Sequence, residues 1–168
     1  MTAARPQRKV WMQTMRRARL GFAVAAGLAF PAAAFGGTTE QVVADWHTGL
    51  AISEFDPVAY FTDAVPKTGR LEYEYSFAGV TWRFRNEGNR AAFAGHPDVY
   101  MPQFGGHDPV AVGRGVARAG HPELWLIADK RLYLFYSPEA RDAFRADPDQ
   151  VTGAAEEKWP DVVRTLSR

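Results

Sequence analysis

The chain has no cysteine among its 168 residues. That absence excludes disulfides, thiolate metal centres and cysteine nucleophiles, so core packing must supply the stability. No serine sits in a Gly-x-Ser-x-Gly elbow. The glycines between Gly105 and Gly115 are not followed by the Lys-Ser or Lys-Thr of a phosphate loop. Long apolar runs are missing as well. The most apolar stretch, "LGFAVAAGLAF" from Leu20 to Phe30, has 11 residues, whereas a bilayer-spanning helix needs about 20.

Arg16, Arg17 and Arg19 precede that stretch, and Pro31 followed by Ala32, Ala33 and Ala34 comes after it, the three-part layout of an export signal. Cleavage is expected after Ala34, with export to the periplasm by the general secretory route ahead of the twin-arginine route, and with translation from Met1 or Met15. All six basic residues of that segment and none of the acids would be lost. The remaining 14 basic and 19 acidic residues give a net charge near −5. Nucleic acid and anionic membrane surfaces reward clustered positive charge and are not expected partners.

What the chain does have is a repetition. Asp-Pro-Val-Ala occurs at Asp56 and again at Asp108, an offset of 52. Phe84 then matches Phe135, Arg90 matches Arg141, Phe93 matches Phe144 and Pro97 matches Pro148, all at 51. Order, spacing and chemistry recur together, which points to two related units of about 50 residues. In each, two alternating runs joined by a short turn (Ala78-Gly79, then Asp129-Lys130) predict a β-hairpin. Asn86 and Ser137 then offer caps for a following helix. The expected fold is α+β, two pseudo-symmetric hairpin-helix units packed into one small domain. Residues 35–50 are expected as a linker, 51–104 as unit one, 105–153 as unit two and 154–168 as a terminal helix anchored by Trp159.

"FDPVAYF", the run Gly79, Trp82, Phe84, Phe93, Pro97 and Tyr100, and "LYLFYSPEARDAF" together resemble the YHS domain family over about Ala51 to Trp159. The resemblance implies a small module related to exported and metal-handling proteins. Family members that bind metal are thought to use a Phe-Cys-Ser-x-x-Cys pattern. Here those cysteines fall on Arg85 and Asn89, and in the second copy on Tyr136 and Ala140. A thiolate site is thus ruled out.

Asp56 and Asp108 read first as helix caps. A cap alone predicts that Asp108→Asn costs little and that Asp108→Ala costs about 1 kcal/mol. Their alternative is a ligand site made of His107, Asp108 and Asp56 at the seam between the units, holding a divalent metal or a small organic ligand. His47, His96 and His121 complete the imidazoles, and no two histidines have helical or strand ligand spacing. Glu72 and Glu74 alternate on one strand face as its wet side rather than as a catalytic pair. The expected function is non-enzymatic binding of a weak metal or small ligand. The competing expectation is a structural or periplasmic protein-partner module that has lost the ancestral site; the abundant aromatic side chains, Tyr136 among them, are expected mostly as core, or as the lining of a small-ligand pocket or a partner surface.

Overall fold

The computed structural model describes residues 41–166, so the export signal and its cleavage point lie outside the described residues. The two halves run the same course. Unit one has a 3-10 turn at Ile52–Glu54, α1 (Ala59–Thr62), β1 (Arg70–Phe77), β2 (Val80–Phe84), α2 (Glu87–Gly95) and α3 (Pro97–Tyr100). Unit two has a 3-10 turn at Gln103–Gly106, α4 (Pro109–Val112), β3 (His121–Ala128), β4 (Arg131–Phe135), α5 (Pro138–Ala146) and α6 (Pro148–Leu166).

Each hairpin closes through two residues of positive φ, Ala78 and Gly79 in one and Asp129 and Lys130 in the other. Such a turn matches the right-handed twist of the strands it joins. The registers coincide residue for residue: Tyr75 faces Trp82 as Leu126 faces Tyr133, and both ladders slip at the same place, after Arg70 and after His121. A glycine precedes each slip because the opposite strand passes close to it. A Cβ on Gly120 would lie 2.6 Å from the Leu134 Cβ, and one on Gly69 would lie 2.5 Å from the Arg83 carbonyl carbon.

The helix boundaries follow their caps. Asn86 Oδ1 accepts from Asn89 N at 2.8 Å, and Ser137 Oγ accepts from Ala140 N at 3.3 Å. The chain then breaks before Pro97 and Pro148, since a residue preceding proline is pushed out of the helical region. The terminal helix is longer than the sequence suggested. It starts at Pro148 rather than at residue 154, because Asp147 Oδ1 caps Gln150 N at 3.0 Å and Pro148 occupies the first turn.

The units pack head to tail. In unit one, Trp82 and Phe84 on one face of the hairpin cover Phe93 of α2. In unit two, Tyr133 and Phe135 cover Phe144 of α5 in the same way. The opposite face of hairpin two, Leu132 and Leu134, enters the core of unit one beside Ile52, Val58 and Tyr60, so β4 is buried on both faces. Tyr60 fastens this seam by donating its hydroxyl to Pro122 O at 2.9 Å, with its ring 5.3 Å from that of Trp125. Unequal faces therefore meet, where a twofold would have paired equal ones. At the far end α6 covers unit two through Ala155, Trp159 and Val162.

From Gln41 the segment expected as a linker is stitched in. Val43 N donates to Gly105 O at 2.8 Å and Ala51 N to Thr81 O at 2.8 Å, while Val42 and Leu50 are buried. Gly105 and Gly106, at the junction of the two copies, are buried and closely packed. A Cβ on Gly105 would lie 1.7 Å from Gln41 O.

Candidate functional site

The recurring aspartates are the most deeply buried charges among the described residues, at 0% exposure for Asp56 and 2% for Asp108. Each joins the start of a short helix to the end of its own hairpin. Asp56 Oδ1 accepts from Val58 N at 2.8 Å and Ala59 N at 3.3 Å, while Oδ2 accepts from Arg85 N at 2.8 Å and from the Asn89 side-chain amide at 2.6 Å. Asp108 Oδ1 accepts from Val110 N at 2.8 Å and Ala111 N at 3.4 Å, and Oδ2 from Tyr136 N at 2.9 Å. The expected caps are present. Each also clamps a strand end, which a cap does not require.

The units differ at one donor. Where Asn89 plugs the Asp56 carboxylate, unit two has Ala140, and no side chain replaces the missing amide among the described residues. A half-open cleft of about 220 Å³ lies there, lined by Asp108, Arg114, Arg118, Tyr136, Ser137 and Ala140 together with neighbouring side chains. The Arg118 guanidinium stands 4.1 Å above the Tyr136 ring. Neither Arg114 nor Arg118 forms an ion pair among the described residues. Glu139 borders the same cleft. Hydrogen bonding to the Ser137 hydroxyl, and to its own backbone amide, holds its carboxyl below the usual range, keeping it ionised and turned to the helix start.

The seam site expected from His107, Asp108 and Asp56 is not assembled. Asp56 spends both oxygens inside unit one, and the bonds that Asp108 accepts all come from unit two. His107, 6% exposed, pairs through its backbone with Ala119 and sets its ring 5.8 Å from that of Trp159, on the α6 side rather than in the cleft. Among the described residues no three His, Asp or Glu side chains converge as a metal would need. The donor set does not fit a divalent ion: a cation at Asp56 would have to displace four donors that the carboxylate already accepts. Glu74 is held by Arg83 at 2.8 Å as part of an outer-face ion pair.

Sequence reasoning did not single out Arg114 and Arg118. It reached Ala140 only as a position lacking cysteine, and Tyr136 as such a position and as one of the aromatic side chains that could line a pocket. The signal that could have found the cleft is the pairing of Asn89 with Ala140 at offset 51, a polar plug in one copy and a methyl in the other. Comparison of the chain with family models, with curated proteins and with solved structures returned no match.

Proposed function

We propose that the chain is an exported, non-enzymatic binding module of YHS type that takes a small polar ligand in the cleft of unit two. The observation that supports this most is the unequal treatment of two equivalent carboxylates. Unit one closes Asp56 with the Asn89 amide, while unit two leaves the buried Asp108 facing an open cleft of about 220 Å³. A buried charge with unfilled acceptor capacity carries a desolvation cost that a ligand donor would relieve. Export rests on the arginine-led apolar segment ahead of Ala34.

A scaffold or partner module is the second reading. Its support is the exposure of two large apolar side chains, Trp46 at 85% and Leu71 at 68%. Titration of the labelled chain with a mixture of small polar metabolites, followed by amide proton–nitrogen spectra, separates the two. The binding reading expects shifts at the amides of Ala111, Tyr136 and Ala140, all lost in Ala140→Asn, which rebuilds the plug of unit one. Unmoved cleft amides, or shifts that persist in Ala140→Asn, would leave the scaffold reading in possession.

A further inference from the structure

We propose that the cleft is selective for a compact zwitterion bearing an N–H donor, an ammonium carboxylate of amino-acid size; this deepens the binding reading and rests on it. The molecule supplies its own template for half of the ligand. In unit one the Asn89 N–H group stands 2.6 Å from Asp56 Oδ2, and the equivalent place beside Asp108 Oδ2 in unit two is cleft. A ligand ammonium placed there replaces a neutral donor with a charged one, which strengthens the bond to a carboxylate.

Two arginines of the same cleft supply the second half. Arg114 and Arg118 line the cleft, and stacking on Tyr136 at 4.1 Å holds the Arg118 guanidinium plane, leaving its N–H edge available to a carboxylate. Two arginines with Asp108 and Glu139 make the lining electroneutral overall while offering groups of both signs. A bare anion would meet the Asp108 and Glu139 carboxylates and a bare cation would meet two guanidinium groups. A ligand carrying both charges satisfies each. The volume, room for about seven waters at ~30 Å³ each, limits it to a small molecule.

The test is isothermal titration calorimetry of the purified chain with glycine, alanine and 4-aminobutyrate, set against glycine betaine, acetate, methylammonium and glycerol. At least one of the three amino compounds is expected to bind, betaine with the same charges but no N–H at least about tenfold more weakly, and acetate and methylammonium without measurable heat. Arg118→Gln is expected to weaken binding by about tenfold or more and Ala140→Asn to abolish it, with thermal melts confirming that both variants fold. Betaine binding as well as an amino acid would overturn the donor assignment, and acetate binding as well would overturn the zwitterion. Glycerol titrating the cleft amides while the amino compounds do not would sink this inference and keep the binding reading. No heat from any compound, with unmoved cleft amides, would sink both.

Discussion

At the scale of single residues, the two aspartates show how one sequence motif can have nearly the same geometry and different consequences. Asp56 accepts four hydrogen bonds and Asp108 three; around Asp56, Asn89 leaves no room for water to replace a lost partner, whereas Asp108 borders the cleft. Asp56→Ala is therefore expected to cost about 3 kcal/mol and Asp108→Ala about 2, more than the ~1 kcal/mol of an isolated cap. Urea denaturation midpoints of the two variants check the order. Asp108→Asn, which a cap would tolerate, sets an amide NH₂ or loses an acceptor against Tyr136 N, so it too should destabilise. The capping role of both residues was legible from Asp-Pro alone. Their second oxygens, bonded to Arg85 and Tyr136 at sequence separations of 29 and 28, were not, because local propensity says nothing about which strand end folds back onto a helix start.

At the scale of elements, the hairpins, their turns and the helices capped by Asn86 and Ser137 were readable, while the Asp147 cap that starts α6 at Pro148 was not. Alternation and Asn or Ser before a helix are local signals, and both hairpins, α2 and α5 lie where the pattern put them. Tyr60 is where an element meets a neighbour. Burial above all, with Asp56 and then Glu123 adding negative charge nearby, holds its phenol well above its ordinary range. The folded protein thus keeps this proton while the unfolded chain loses it near pH 10. The contribution to stability is complete below that pH and is lost as pH rises beyond it. Tyr60→Phe is expected to cost about 1–2 kcal/mol at neutral pH by leaving Pro122 O unpaired. It should also flatten the fall in stability above about pH 10, measured by denaturation at pH 7 and at intervals into the alkaline range.

At the scale of the whole molecule, the head-to-tail arrangement raises the question of why stacking stops at two units. Hairpin two offers Leu132 and Leu134 to the core of unit one; the matching positions of hairpin one are Thr81 and Arg83, and Arg83 is tied to Glu54 and Glu74 at 2.8 Å each. One end of the stack is thereby made polar, while α6 covers the other, the two ways repeat proteins cap their ends. Thr81→Leu with Arg83→Leu is expected to give hairpin one the apolar face of hairpin two. At equal concentration the double variant should elute as larger species than the parent chain, as measured by size-exclusion chromatography with light scattering; identical elution would show that the polar face does not limit association.

The sequence by itself determined the α+β class, the hairpins, the Asp56, Asn86, Asp108 and Ser137 caps and the absence of thiolate chemistry, because each of these is written in residues close together along the chain. Only the tertiary structure decided that unequal faces meet at the seam, that His107 lies against α6 and away from the cleft, and that Ala140 leaves open beside Asp108 the space that Asn89 fills beside Asp56. Those outcomes depend on which buried surfaces complement one another in three dimensions, and a spacing pattern records a face without recording what covers it.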